Sequence, residues 1–275
     1  ISAPADLYTD GTTAKEATVE NNLVDTSVAV SDITYSSGSA PKTAGTHIAS
    51  VTAGGATASI EYTLVKRNAA ADMFVFSAPA NLVYDGTAKY ATVEVSPEIT
   101  GMGAVTVAYY KDGVAVDPVN AGTYTVKVST AESDKYYALT DVELGSFTIE
   151  KKEITAFATV ADKVYDGTTK AELVEGVKLG IIGIIPGDKV SIENLSNIRL
   201  NFEDAEVGTN KKVVVDATSA ITGDSAHNYY VASSNVEGLT IYPQKISAEV
   251  EGRGIIELIN NRGLEDKELV ALIPI

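Results

Sequence analysis

Val164-Tyr165-Asp166-Gly167-Thr168-Thr169 is the most informative stretch of this 275-residue chain, because it recurs. A close copy, Val-Tyr-Asp-Gly-Thr, spans residues 83–87, and a shorter one, Thr-Asp-Gly-Thr, spans residues 9–12. The three aspartates are about 75 and about 81 residues apart, a longer period than that of most solenoid repeats. The spacing therefore predicts tandem modules of small-domain size.

A second repeat indicates where the modules begin. Residues 2–7 (Ser-Ala-Pro-Ala-Asp-Leu) recur as residues 77–82, and residues 14–20 (Ala-Lys-Glu-Ala-Thr-Val-Glu) recur as residues 88–94. We predict a first module at residues 1–67, a second at 72–150 and a longer, variant third at 151–244. Residues 245–275 form a tail in which Ile246, Ala248 and Val250 indicate the first strand of a further unit. At residues 264–272 the pattern fits either a strand or a short helix.

The alternation of apolar and polar residues predicts an all-β fold. In the second module, Tyr124, Val126 and Val128 share one face of a strand, and Asp112-Gly113 predicts a two-residue hairpin turn. Roughly seven short strands with turns at short intervals are typical of an immunoglobulin-like sandwich. The apolar run 179–185 is expected to form a buried strand and a turn. The short linkers favour tandem immunoglobulin-like β-sandwich domains in an extended array.

Composition narrows the class of function. The net charge of −16 argues against binding to nucleic acid, which requires a basic surface. The chain has no Cys, so its stability cannot come from disulfides. No apolar run approaches the roughly 18 residues of a membrane span. We expect no membrane span in these residues, and a monomer in solution.

The recurring motif has a structural and a functional interpretation. As a turn, its Asp accepts a backbone N–H two residues later, its Gly adopts a left-handed conformation, and its Tyr covers the edge of the core. As a ligand or Ca²⁺ site, it would need six to eight oxygens, but each copy fixes one carboxylate. We favour the turn. The turn residues are Asp10, Gly11, Tyr84, Asp85, Gly86, Tyr165, Asp166 and Gly167.

A tyrosine corner is predicted at Tyr124, whose hydroxyl would bond a backbone group upstream. His47 stands at the matching position of the first module, and the second histidine, His227, precedes a strand of the third. Histidines in different modules cannot readily build a triad or a zinc site. We therefore expect no catalytic residues, no metal, no cofactor and no enzyme activity.

Three tyrosine doublets are candidate ligand contacts, because adjacent side chains of a strand face opposite ways. We expect Tyr110, Tyr137 and Tyr230 to be exposed, where they could stack on a sugar or contact a protein. Edge-strand tyrosines are also ordinary in sandwiches, so the pattern alone leaves this open. An intramolecular Lys–Asn cross-link, known from some surface domains of this class, is a further open alternative.

The third module resembles the YDG repeat family of bacterial adhesins. The resemblance rests on residues 163–169, Gly187-Asp188, residues 202–208 and Asn228-Tyr229. The second module is similar to the "mostly bacterial Ig-like" (MBG) repeats through residues 84–87, 109–113 and 121–124. The first is a weaker member, since it lacks a Tyr before Asp10 and the corner Tyr. The resemblance implies a β-sandwich array in an exported bacterial surface protein, with no catalytic residues.

The resulting hypothesis is that the chain is a non-enzymatic structural or adhesive repeat region that acts as a spacer or stalk. The protein is expected to be extracellular, either at the bacterial cell surface or secreted. The alternative is a glycan-binding module that uses the exposed tyrosines. The expected partner is an unidentified protein or glycan, and not a nucleic acid.

Overall fold

The chain is all-β in the computed structural model, which describes residues 1–20, 22, 29–176, 179–192, 198–217, 221–250 and 254–260. The only helical segments among these residues are one-turn 3₁₀ helices at Ala71–Met73 and Ala226–Asn228. Backbone contacts divide the chain into two compact units. Unit 1 comprises Ile1–Leu82, Ala88–Pro118 and Gly122–Thr148; unit 2 comprises Val83–Thr87, Val119–Ala121 and Ile149–Ile275.

Among its described residues, unit 1 contains three sheets. Its strands are β1 (Thr34–Tyr35), β2 (Gly45–Ala53), β3 (Ala56–Leu64), β4 (Phe74–Ser77), β5 (Thr92–Val95), β6 (Val105–Lys111), β7 (Val114–Ala115), β8 (Gly122–Thr130) and β9 (Leu139–Ile149), whose last residue belongs to unit 2. The sheet orders are β1-β2-β3, β4-β5 and β7-β6-β8-β9. Asp112 and Gly113 both have positive φ in the tight β6–β7 turn, which matches the predicted hairpin.

The core of unit 1 follows from strict alternation along its strands. In β8 the side chains of Tyr124, Val126 and Val128 are buried while their neighbours are partly exposed. Phe147 of β9 stacks on Tyr124 with ring centroids 5.8 Å apart. A separate buried cluster lies under the first sheet and consists of Ala17, Ala49, Tyr62 and Leu64. Period-two burial of this kind places one face of each strand against apolar neighbours.

Unit 2 has both parallel and antiparallel pairs. Its strands are β10 (Lys152–Phe157), β11 (Lys163–Val164), β12 (Gly180–Ile182), β13 (Ser191–Ile192), β14 (Arg199–Phe202), β15 (Gly208–Asp216), β16 (Ile221–Thr222), β17 (Tyr229–Ala232), β18 (Ser234–Tyr242), β19 (Gln244–Val250) and β20 (Gly254–Asn260). The sheet orders are β12-β10-β17, β11-β18-β15-β14, β13-β16 and β19-β20. β10 runs parallel to β17, and β11 runs parallel to β18. One buried cluster comprises Val160, Ala171, Phe202, Val213, Leu239 and Ile241.

One local expectation from the sequence was wrong. The apolar run 179–185 does form a strand, β12, but Ile182 is 58% exposed, because β12 lies at the edge of its sheet. The tail begins with a strand as predicted, β19, whereas residues 264–272 lie outside the described residues. Nowhere in the described ranges is there a helix with the length and apolar character to cross a membrane.

In unit 1 a tyrosine hydroxyl bonds the backbone of two equivalent residues of the sequence repeat, Ala17 and Ala91. We call each of these contacts a hydroxyl clamp. The N–H of Ala17 donates to the Tyr35 hydroxyl at 3.1 Å, and the N–H of Ala91 donates to the Tyr109 hydroxyl at 3.0 Å. Tyr109 also donates to the carbonyl of Ala91 at 3.3 Å. A hydroxyl so placed gives a partner to the backbone of a residue that lies outside the strands.

Replacing Tyr109 by Phe should lower the free energy of unfolding of this part of the chain by about 1–2 kcal/mol, because the backbone of Ala91 loses a buried partner. Tyr35→Phe should cost about 1 kcal/mol, since only one hydrogen bond is lost. Thermal or urea unfolding measures both variants, with the exposed Tyr137→Phe as a control. A Tyr109→Phe variant as stable as the parent would contradict the clamp.

Candidate functional site

The three Asp-Gly-Thr corners have the same local geometry. A backbone N–H donates to the Asp Oδ1 from Thr12 to Asp10 at 2.8 Å, from Thr87 to Asp85 at 2.9 Å and from Thr168 to Asp166 at 2.9 Å. The glycines between them, Gly11, Gly86 and Gly167, have φ of 74°, 80° and 76°. Each corner is therefore a turn held by its own carboxylate, in a conformation that suits glycine.

Each corner also occupies the same place in its sheet. The residue before each Asp donates its N–H to a carbonyl at the end of a late strand: Thr9 to Val65 at 3.0 Å, Tyr84 to Glu150 at 2.9 Å and Tyr165 to Tyr242 at 2.8 Å. The residues just upstream pair in parallel with that strand, as Tyr8 with Val65, Val83 with Glu150 and Val164 with Tyr242. We call this bond between the corner and the late strand the closing bond.

The carboxylate of Asp10 is engaged by its own turn. Its oxygens accept hydrogen bonds from the backbone N–H and the hydroxyl of both Thr12 and Thr13, at 2.7–3.1 Å. These bonds, led by the N–H and hydroxyl of Thr13, hold the pKa of Asp10 well below its usual range.

At the third corner a lysine takes the position that a cation would need. The Lys163 Nζ lies 2.6 Å from Asp166 Oδ1 and within 3.2 Å of three further oxygens, which belong to Thr168 and Lys170. The ammonium of Lys163, followed by the N–H of Thr168, lowers the pKa of Asp166 to about 2. Because a positive charge is already bound there, this corner disfavours Ca²⁺. Within the described ranges, no three His, Cys, Asp or Glu side chains are grouped as a metal site.

Tyr84 takes part in a polar cluster inside unit 2. Its hydroxyl donates to Asp188 Oδ2 at 2.9 Å, and Tyr229 donates to the same oxygen. The two rings meet edge to face, with centroids 5.5 Å apart. The Tyr229 hydroxyl also accepts the N–H of Ile185 at 3.1 Å. One carboxylate thus joins two buried tyrosines that are far apart in the sequence.

Asn228 extends this cluster with its side chain amide. Its Oδ1 accepts the N–H of Ala121 at 2.8 Å, and its Nδ2 donates to Asn120 Oδ1 at 2.9 Å. Asn228 is buried. A buried amide that is satisfied on both sides fixes the position of the backbone it contacts.

Burial and the Asp188 carboxylate act together on both tyrosines. Burial, and after it the hydrogen bond to Asp188, raises the pKa of Tyr229 to about 12. The same two causes raise the pKa of Tyr84. Both phenols therefore stay protonated through the physiological range.

His47 and Tyr124 occupy matching places in β2 and β8. The ring of His47 lies 6.1 Å from that of Tyr62, and its Nε2 is 3.0 Å from the Thr43 carbonyl oxygen. Tyr124 is buried on Phe147. The hydroxyl clamps described above are made by other tyrosines, Tyr35 and Tyr109. His227 is exposed and lies in unit 2.

Each tyrosine doublet has one buried ring. Tyr109, Tyr136 and Tyr229 are buried, while Tyr137 and Tyr230 are 42% and 44% exposed. The Tyr230 hydroxyl donates to Glu153 Oε2 at 2.6 Å. The half-buried ring of Tyr110 is covered by the Lys127 Nζ, 4.5 Å from its centroid. Tyr137 and Tyr230 are thus more accessible than Tyr110.

A shallow groove of about 620 Å³ in unit 1 was missed by the sequence analysis. Its walls include Tyr109, Val116 and Asp117, and at its rim lies the ring of Tyr90, which is 57% exposed. The Tyr90 hydroxyl lies 3.4 Å from Asp117 Oδ1. The sequence repeat could have pointed to Tyr90, because this aromatic residue stands where the first copy of the repeat has Glu16.

One part of the chain matches a known family model. A YDG domain occupies residues 150–236. The match begins at the end of β9 and includes the third corner, Asp188, Asn228 and Tyr229. No curated protein and no solved structure matches the chain significantly. The segments 83–87 and 119–121, which contact Asp188, Asn228 and Tyr229, lie outside the YDG match.

Replacing Gly11 by Ala should destabilise the fold more than replacing Gly167 by Ala. Both glycines have positive φ, which costs about 1–2 kcal/mol for an alanine. A Cβ at Gly11 would also lie 2.5 Å from the Cβ of Asp134, while one at Gly167 would meet no described atom within 4 Å. Urea unfolding of the two variants measures the difference. Equal losses would contradict the close packing at Gly11.

Alkaline pH should destabilise unit 2 through Tyr229. Its pKa is raised from an unfolded value of about 10 to about 12, so the unfolded state releases the proton first. The stabilisation from this phenol is complete below about pH 10 and is lost as the pH rises towards about 12. Unfolding monitored by circular dichroism should depend less on pH over this range in Tyr229→Phe. An unchanged dependence would contradict the raised pKa; Tyr137→Phe is the control.

Proposed function

We propose that this chain is a non-enzymatic structural or adhesive repeat region of an exported bacterial cell-surface protein, acting as a spacer or stalk. In this proposal residues 1–67, 72–150 and 151–244 are immunoglobulin-like β-sandwiches in tandem. The first two are of the MBG type, and the third contains the YDG domain. The chain acts as a monomer outside the cell.

The observation that carries the proposal is the threefold corner with its closing bond. The same turn, the same left-handed glycine and the same pairing with a late strand occur at Asp10, Asp85 and Asp166. Repetition of one structural device along a chain serves length and spacing, because each copy builds the same unit again. The polar groups of the corner are engaged within the chain, since the carboxylate of Asp10 accepts a hydrogen bond from Thr13 and that of Asp166 from Lys163.

The site chemistry also favours a role without catalysis. The two histidines lie in different units, and the Nε2 of His47 is next to a backbone carbonyl. The most strongly shifted phenol, Tyr229, is buried and hydrogen-bonded within unit 2, so it is placed for stability and not for proton transfer to a substrate.

Surface location is tested on the cells that produce the protein. An antibody raised against residues 1–244 should label intact cells, and added protease should remove the label without lysis. A cytoplasmic protein probed in parallel serves as the control for leakage. Labelling that requires permeabilised cells would contradict the proposal.

Glycan binding is a second candidate function, favoured by the exposed rings of Tyr90, Tyr137 and Tyr230. At Tyr90 and Asp117 an accessible aromatic face lies beside a carboxylate. The ring can stack on a sugar, and the carboxylate can accept hydrogen bonds from the sugar hydroxyls.

A glycan array separates binding from spacing. If the chain binds a glycan through the groove, Tyr90→Ala should abolish the signal, while Tyr90→Phe should keep most of it because the ring remains. Tyr110→Ala, Tyr137→Ala and Tyr230→Ala test the other rings. An array with no specific signal would leave the spacer as the function of these residues.

A further inference from the structure

In unit 1 the first corner packs against a loop that comes much later in the chain. A Cβ built on Gly11 would lie 2.5 Å from the Cβ of Asp134. The same loop is held by the backbone of Arg67, whose N–H donates to Lys135 at 2.8 Å and whose carbonyl accepts from Tyr137 at 2.9 Å. The corner at Gly11 is therefore covered by residues of the second predicted module.

In unit 2 the second corner is covered in a related way. A Cβ on Gly86 would lie 3.5 Å from Ile185, and the Tyr84 hydroxyl bonds Asp188. The segment just before β8 takes part as well, because the N–H of Ala121 donates to the side chain of Asn228. The covering residues again come from the module that follows in the sequence.

The third corner offers the same surface, and none of the described residues covers it in that way. Its corresponding segments are 165–168 and 205–207, the latter lying just before β15, which begins with Gly-Thr as β8 does. Tyr165 and Val207 are only half-buried, whereas Tyr84 and Ala121 are buried. No described atom lies within 4 Å of a Cβ at Gly167. We call residues 165–168 with 205–207 the third corner surface.

We propose that the third corner surface is the docking site for a further module of the same kind, which continues the chain from β19. β19 begins two residues after the end of β18, much as β10 begins three residues after the end of β9. By analogy with Asp188 and Asn228, the docking loop would present a carboxylate to the Tyr165 hydroxyl and a side-chain amide to the backbone before β15. The inference rests on the tandem arrangement proposed above.

A duplication of the third module tests this docking. In the duplicated chain, residues 244–275 are replaced by a second copy of residues 151–275, with Val164→Ile in that copy to give its corner peptide a distinct mass. Val164 is exposed, so this marker should not disturb the fold. Hydrogen exchange is then followed by mass spectrometry in the parent and the duplicated chain.

The corner amides of the original copy, residues 166–168, should exchange at least tenfold more slowly in the duplicated chain than in the parent. The corner of the inserted copy should exchange as in the parent. The double substitution Asp188→Ala with Asn228→Ala, made only in the inserted copy, should return residues 166–168 of the original copy to the exchange rate of the parent.

An unchanged exchange rate at residues 166–168 of the original copy would overturn the docking site, whether or not the inserted copy folds. A second marker, Val214→Ile, gives β15 of the inserted copy a distinct mass, and exchange there reports that folding separately; Val214 is 37% exposed. If the inserted copy is folded and residues 166–168 of the original copy are not protected, the docking is wrong but the tandem arrangement is not contradicted.

Discussion

The closing bond is the interaction on which the rest of this fold depends. At each corner a single backbone N–H, from Thr9, Tyr84 or Tyr165, ties the corner to the end of a late strand. The Asp-Gly-Thr turn that follows redirects the chain immediately, because its glycine adopts a left-handed conformation that other residues resist. Each corner is thus both bound to a late strand and the point at which the chain turns away from that strand.

The three corners share a backbone but differ in what surrounds them. Asp10 is satisfied by two threonines, Asp166 by a lysine, and the corner at Tyr84 contributes to a polar cluster around Asp188. These differences stabilise the same turn by different means. They also explain why a motif that resembles a ligand site contains few free acceptor oxygens at Asp10 and Asp166.

Local patterns predicted much of this structure. The alternation in β8, the Asp112-Gly113 hairpin and the strand at the start of the tail all follow from short-range sequence, because strand burial has period two and tight turns require particular residues. The exposure of Ile182 did not follow, since the position of a strand within its sheet is set by distant pairing. The Asp188 cluster was also missed: Tyr84 and Asp188 are separated by 104 residues, and no local pattern reports such a contact.

The parallel pairing at each corner has a mechanical consequence. The segment just before each corner and the late strand that it pairs with run in the same direction. Tension applied through the chain would therefore pull them in opposite directions along their own axes. Bonds loaded by such sliding must yield together, whereas the bonds of a hairpin can be peeled apart one at a time.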